Sequence, residues 1–158
     1  MLKGTPAVIF TIGYEGTSVS GLLSALKHND VDLVIDVRLT PLSRKRGFSK
    51  RALALALREG GLRYSHRPEF GCPKDIRTRL EATGDFSEYA DSYASRVLSR
   101  RMVQVGRLAR EGRASNICLL CFEADAARCH RSLIAATAGT VTQGATGYVH
   151  LAAGRTSR

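Results

Sequence analysis

The chain has 158 residues, and its 24 Lys and Arg against 14 Asp and Glu give a formal net charge of +10. Hydrophobic residues at 44% and charged residues at 24% are ordinary globular values, which excludes intrinsic disorder of the whole chain. Four cysteines are too few for a disulfide framework. The apolar runs fall far short of the ~20 residues that span a bilayer. We therefore expect a cytoplasmic protein with free thiols, no signal peptide and no membrane partner.

The first half of the chain alternates short apolar runs with helical patterns. Residues 7–12 are apolar and β-branched, which predicts a buried strand, and Thr17 or Ser18 can cap the helix that follows. Residues 31–37 predict a second buried strand, and Ser49 begins a helix that ends at Gly60. Residues 62–66 predict a weaker third strand, which ends before Pro68.

The second half continues the alternation. A short helix is predicted near 75–82 and one long helix over 87–111, where apolar residues recur at helical spacing. Residues 116–122 predict the clearest strand of this half. A helix beginning near Cys129 and a last strand at 148–151 follow.

This alternation predicts an α/β fold of three layers, in which helices cover both faces of a mostly parallel five-stranded sheet, as in Rossmann-like proteins. We expect residues 1–158 to form a single domain, with a core from about 7 to 151 and a frayed tail at 152–158. Ligands of such sheets bind beyond the carboxyl ends of the strands. The polar segments at these ends should therefore converge on one rim: residues 13–15, 36–43, 66–69 and 121–130.

The segment 118–132 holds three of the four cysteines and raises the possibility of a zinc site. Cys118 and Cys121 lie in one strand, where residues three apart point to opposite faces. The adjacent pair Cys129 and His130 is not expected to close on a single ion. We therefore predict no metal site, and we interpret Cys118 as a small buried hydrophobe.

The same segment is better interpreted as a reactive site formed by two parts, the end of a strand and the start of the next helix. Cys121 and Glu123 lie at or just past the strand, and Cys129, His130 and Arg131 lie at the start of the next helix. A helix N-terminus attracts anions and lowers the pKa of a thiol, and arginine binds phosphate or carboxylate with two hydrogen bonds. The alternative is an inert core thiol, with Arg131 as a surface partner of Glu123. No glycine-rich loop joins Cys and Arg as in phosphatases or sulfurtransferases.

A second group of polar residues follows the second predicted strand. Asp36 and Arg38 share one face, where they either pair with each other or both contact a ligand, and Arg44 belongs to a basic loop suited to phosphate. Tyr14 lies in a tight turn that lacks the glycine fingerprints of dinucleotide and phosphate loops. NAD and ATP therefore have no support, and the cofactor is unknown. His66 follows the third strand and is a structural or catalytic histidine.

Several segments, in their order along the chain, resemble the family known as domain of unknown function 488. The most specific piece is Cys121-Phe122-Glu123 followed by Arg128-Cys129-His130-Arg131, and the matching pieces span residues 8–151. Phe122 replaces the family's usual small residue, and Phe70 a usual Leu. The family name gives no reaction. The resemblance implies one shared pocket built from Tyr14, Asp36, Arg38, His66, Cys121, Glu123, Cys129, His130 and Arg131.

Our first hypothesis is an enzyme, a hydrolase or transferase, that acts on a phosphorylated or nucleotide-like anionic substrate. In it Glu123 or Cys129 is the nucleophile or general base, His66 or His130 shuttles protons, and Cys121 with Cys129 offers a dithiol variant. The alternative is a non-catalytic nucleic-acid-binding module that uses the basic loop 44–51 and the arginine-rich long helix. A thiol redox or metal sensor is the third hypothesis.

Overall fold

The computed structural model describes residues 6–154, which form a five-stranded, all-parallel sheet covered by helices on both faces. This confirms the predicted three-layer α/β fold. The strands are β1 (Ala7–Gly13), β2 (Leu33–Asp36), β3 (Arg63–His66), β4 (Ile117–Cys121) and β5 (Thr146–Leu151). The helices are α1 (Val19–His28), α2 (Lys50–Glu59), α3 (Lys74–Thr83), α4 (Phe86–Arg96), α5 (Met102–Ala114) and α6 (His130–Val141).

The sheet order is β3-β2-β4-β1-β5, which places β4 at its centre, between β2 and β1. The register pairs Gly13 with Cys121 and Asp36 with Leu120, so the carboxyl ends of β1, β2 and β4 lie side by side. The chain leaves β1 through α1 and β4 through α6, and these two helices cover opposite faces of the sheet. Such a change of direction between neighbouring strands opens a crevice at the carboxyl edge.

Side chains that alternate along the strands supply two separate cores. Ile35, Leu119 and Cys121 pack on the face covered by α3 to α6, whereas Val34 and Cys118 pack on the face covered by α1 and α2. The period of two in a strand produces this division. It confirms that Cys118 and Cys121 point to opposite faces.

The predicted long helix over 87–111 is wrong, because two helices, α4 and α5, occupy this region. A short 3-10 turn, Leu98–Arg100, separates them. Val97 and Leu98 are both buried there. Val103, which the long helix would have placed on its apolar face, is 67% exposed. No Gly or Pro marks the break, so the sequence carries no local signal for it.

The other helix boundaries agree with the predicted signals. Ser18 caps α1 by accepting a hydrogen bond from the Gly21 amide, and Cys129 occupies the N-cap position of α6. Residues 152–154 of the predicted frayed tail are held in place, since the Thr17 hydroxyl donates to the Gly154 carbonyl. Residues 155–158 of that tail lie outside the described residues. Within residues 6–154, no helix is long and apolar enough to cross a membrane.

Candidate functional site

A cavity of about 740 Å³ opens at the carboxyl edge of the sheet, between the loops that follow β1, β2 and β4. The helices α3 and α4 form its remaining wall, with Arg77, Leu80 and Tyr89. This volume lies within the range of small-molecule sites, about 300–1,000 Å³. The segments after β1, β2 and β4 converge on this rim as predicted, and each contributes to the wall. The segment 66–69 after β3 was also predicted there, but none of its residues lines the cavity.

Six of the ten predicted site residues line the cavity, and four do not. The lining residues are Tyr14, Arg38, Arg44, Cys121, Glu123 and His130. The other four lie behind the wall and contact residues that form it: Asp36, His66, Cys129 and Arg131. The shared pocket implied by the resemblance is therefore a lining shell with a supporting layer behind it.

The loops after β1 and β4 are joined by backbone hydrogen bonds. Tyr14 donates to the Cys121 carbonyl at 3.2 Å, and Glu15 donates to the Phe122 carbonyl at 2.8 Å. The Glu15 carboxylate accepts the Ala124 amide at 2.9 Å. A Cβ atom on Gly13 would overlap the Glu123 carbonyl, so this close approach requires glycine.

Asp36 and Arg38 form a buried ion pair with most of its hydrogen-bonding groups paired inside the protein. Arg38 donates to both Asp36 oxygens at 2.9 and 2.7 Å, and its other terminal nitrogen donates to the Tyr14 hydroxyl and the Phe48 carbonyl. The Tyr64 hydroxyl also donates to Asp36, at 2.6 Å. Burial lowers the pKa of Arg38, but the hydrogen bond and charge of Asp36 outweigh it and raise the pKa overall. Of the two alternatives, the structure shows the pair.

His66 and Arg131 both support main-chain atoms of the site. The His66 ring contacts the Arg38 carbonyl through Nε2 at 2.9 Å. Arg131 is fully buried, and its guanidinium donates to the Glu123 carbonyl at 2.5 Å, the Ala124 carbonyl at 3.2 Å and the Thr11 hydroxyl at 3.2 Å. Arg131 is thus neither at the cavity wall nor a surface partner of the Glu123 carboxylate, and it holds the loop that carries Glu123.

Cys121, Cys129 and His130 meet at the floor of the cavity. The Nδ1 atom of His130 lies 3.9 Å from each sulfur, and the three donor atoms all lie within 4.8 Å of one another. The expectation that adjacent Cys129 and His130 could not converge is therefore wrong. Cys129 precedes the first turn of α6 in an extended conformation, with φ near −136°, which lets its side chain point the same way as that of His130.

The titratable groups of this floor influence one another strongly. The pKa of Cys121 is raised by its hydrogen bond to Cys129 and by burial. Burial opposes ionisation of Cys129, but the Cys121 hydrogen bond and the adjacent His130 outweigh it and hold the pKa well below the usual thiol range. Burial alone would lower the pKa of His130, but Cys129 raises it. Burial and the charge of Cys129 raise the pKa of Glu123.

Several lining residues were not predicted from the sequence: Cys72, Arg77, Tyr89, Phe122 and Arg128. Cys72 is only 2% exposed, and burial raises its pKa to about 11. Phe122 is partly exposed and contacts the edge of Tyr14 at 5.3 Å between ring centroids. Arg128 was within reach of the sequence, since it lies in the predicted rim segment 121–130. Arg77 of α3 and Tyr89 of α4 do not follow a strand, so the sequence gave no reason to place them in the site.

Comparison with known proteins gives one positive finding. No match was found among curated proteins or among solved structures. The family described as "Domain of unknown function DUF488" matches residues 18–138, more than three quarters of the chain. This range includes the Cys121–Arg131 segment but not the Gly13-Tyr14 turn. The resemblance is thereby confirmed, and the chain belongs to the DUF488 family.

Proposed function

We propose that this protein is an enzyme that acts on a phosphorylated or nucleotide-like anionic small molecule bound in the cavity. The observation that carries the proposal is the distribution of charge along the wall. Arg44, Arg77 and Arg128 are exposed at the cavity, and among residues 6–154 none of the three forms an ion pair. Arginines without carboxylate partners are well suited to bind phosphate.

The same wall also carries four acidic residues, Glu15, Glu81, Glu123 and Asp125. Among residues 6–154, none of the four forms an ion pair with these arginines. The Glu15 carboxylate accepts the Ala124 amide, and the Asp125 carboxylate accepts the Ala127 amide, so both are engaged with backbone. Glu123 lies at the floor, where its Oε2 atom is 3.3 Å from Cys121 Sγ. The cavity thus combines three exposed arginines with a carboxylate and a thiol that contact each other.

This arrangement suits cleavage or transfer at a bond next to a phosphorylated group. The arginines would hold the phosphate, and the rings of Tyr14, Phe122 and Tyr89 would contact an apolar or aromatic portion. Glu123 would then act as general base or nucleophile at the bond nearest the floor. Nucleotides match this arrangement, because their glycosyl and phosphoester bonds lie within a few ångströms of an anionic phosphate group.

The test compares matched ligands that differ by one phosphate: adenosine against its 5′-monophosphate, and ribose against ribose 5-phosphate. We expect only the phosphorylated member of each pair to raise Tm, because only this member binds the native state. Arg44→Gln with Arg128→Gln should weaken binding about tenfold or more. Arg110→Gln on α5, an exposed arginine outside the cavity wall, is the matched control.

Turnover separates an enzyme from a binding protein. Bound ligands would be incubated with the protein and followed by NMR for loss of the glycosyl or phosphoester bond. Glu123→Gln should retain binding and lose turnover, since it keeps the shape but not the carboxylate. Equal binding of both members of each pair, or unchanged turnover in Glu123→Gln, would refute the proposal.

The nucleic-acid hypothesis has its own distinguishing result. Arg46 is exposed in the loop beside Arg44, and Lys50 and Arg51 are exposed at the start of α2. If a duplex oligonucleotide binds with strong salt dependence, loses affinity in Arg46→Gln with Arg51→Gln, and is indifferent to Glu123→Gln, the protein is a polyanion binder.

A further inference from the structure

We propose that Cys121, Cys129 and His130 form a binding site for one divalent, borderline-soft cation such as Zn²⁺, with one coordination position open to the cavity. Two thiolates and an imidazole are the ligand types that this class of ion prefers. All three residues are buried, and their donor atoms lie within 4.8 Å of one another. This inference stands apart from the proposed substrate, because it concerns a different ligand.

The hydrogen bond on the far side of the His130 ring supports this assignment. Nε2 lies 2.9 Å from the Val37 carbonyl, which can only accept, so Nε2 carries a proton and donates it. In the neutral ring Nδ1 then presents a lone pair toward the two sulfurs, each at 3.9 Å. Metal-binding histidines almost always have such an outer partner, which fixes the ring and its tautomer.

The spacing of the donor atoms is close to that of a loaded site. Zinc bonds of about 2.3 Å to sulfur and about 2.0–2.1 Å to nitrogen, in tetrahedral geometry, place sulfur and nitrogen about 3.5 Å apart. The distances of 3.9 Å require only a small contraction. Cys121 ends a central strand and Cys129 and His130 begin a helix, so the backbone under the site is rigid.

The open coordination position is inferred from which of the three ligands line the cavity. Cys121 and His130 line the cavity, whereas Cys129 lies behind them and is fully buried. Cys118 cannot be a fourth ligand, because it packs in the core on the other face of the sheet. The Glu123 carboxylate contacts Cys121 at 3.3 Å but is not among the donor atoms that lie within 4.8 Å of one another. A fourth ligand is therefore expected from the cavity, as water or as a bound molecule. Three protein ligands with one open position are the arrangement of catalytic rather than structural zinc.

A disulfide between Cys121 and Cys129 is the competing use of the same atoms. Both cysteines are free thiols in the structure. A disulfide would leave no thiol or thiolate to contact His130 Nδ1. The His130 ring is only 4% exposed, so water could hardly replace these contacts. The metal engages all three groups, and it offsets the cost of burying two thiolates.

The test measures metal binding without any substrate. Full-length protein purified without chelator is analysed for metal content, then stripped and titrated with Zn²⁺ against a chromophoric chelator. We expect one Zn²⁺ per chain. Cys121→Ala and Cys129→Ala should each weaken binding by at least about 100-fold, the upper end of what loss of an outer partner costs. Cys118→Ala, which also removes a buried cysteine but on the other face of the sheet, should bind as the wild type does.

Cobalt substitution of the wild type makes the result independent of whether the variants fold. Tetrahedral Co²⁺ with two thiolate ligands should show intense visible bands and a thiolate charge-transfer band. Loss of these bands in Cys121→Ala, with far-UV circular dichroism unchanged, would support the site. The inference is overturned if wild-type protein binds neither ion, if Cys121→Ala binds with wild-type affinity, or if a Cys121–Cys129 disulfide forms in protein that never binds metal.

Discussion

Two groups of polar residues occupy the same edge of the sheet and differ in how completely they are paired. The network of Asp36, Arg38, Tyr14 and Tyr64 is held together by short hydrogen bonds within the protein. The side chains of Cys121, Glu123, Cys129 and His130 contact one another at 3.3 to 3.9 Å, and each of these contacts involves a sulfur atom. Sulfur is a weak hydrogen-bond donor and acceptor, so these groups are joined less strongly than the first network. Strongly paired groups position the loops, whereas groups joined only through sulfur beside a cavity remain available for a ligand.

The difference shows that charge and burial alone do not identify a reactive residue. Of the three arginines that the sequence placed in the site, Arg44 is exposed at the cavity, whereas Arg38 and Arg131 are buried and bound to protein atoms. Arg77 and Arg128, which were not predicted, are exposed at the cavity.

The largest effect is expected from Asp36→Ala, which leaves the Arg38 guanidinium buried without its carboxylate. Removing one partner of a buried ion pair costs about 3–5 kcal/mol of unfolding free energy. Urea denaturation would measure it. Asp75→Ala, in the exposed pair with Arg96, is the control and should stay close to wild type. A small loss in Asp36→Ala would mean that the network does not support the fold.

Arg131→Met tests whether Arg131 supports the Glu123 loop or binds an anion. We expect a loss of about 2–4 kcal/mol, because the carbonyls of Glu123 and Ala124 lose their donors. Chemical denaturation and ligand titration on the same preparation separate the two roles. An unchanged stability together with weaker phosphate binding would place Arg131 among the available groups instead.

Gly13→Ala probes the close packing of the loops after β1 and β4. The added methyl group overlaps the Glu123 carbonyl, so the loop must shift at a cost of about 1–3 kcal/mol. Thermal unfolding would show the loss. Gly147→Ala in β5 is the matched control, since its Cβ would be 4.0 Å from the nearest neighbouring atom. Equal Tm values for both variants would contradict the close packing.

The smallest effect concerns His150, whose ring accepts or donates to the Thr11 hydroxyl at 2.6 Å. Burial and the charge of Arg131 lower the pKa of His150 below that of the unfolded chain. The unfolded state therefore takes up the proton first, and stability falls as the pH drops through the usual histidine pKa. Unfolding free energies between pH 5 and 8, wild type against His150→Gln, should diverge toward the acid side. Parallel curves would contradict the shift.

The sequence was sufficient for the fold and for the general position of the site. Strand patterns, capping residues and the alternation of elements are local properties, and all five strands were predicted within a few residues. The rule that ligands bind at the carboxyl edge of a parallel sheet then placed Tyr14, Cys121, Glu123 and His130 on one wall. The break between α4 and α5 was missed, because burial of Val97 and Leu98 depends on the packing of whole helices.

The packing of the folded chain determines which polar side chains are hydrogen-bonded within the protein and which can contact a ligand. Sequence order determines that Arg131 follows Glu123 by eight positions, but not that its guanidinium turns toward backbone carbonyls. Likewise, the meeting of Cys121 with Cys129 and His130 depends on the angle between β4 and the start of α6. Hydrogen-bond partners and donor convergence are set by three-dimensional distances of a few ångströms. Residue types and spacing along the chain do not contain that information.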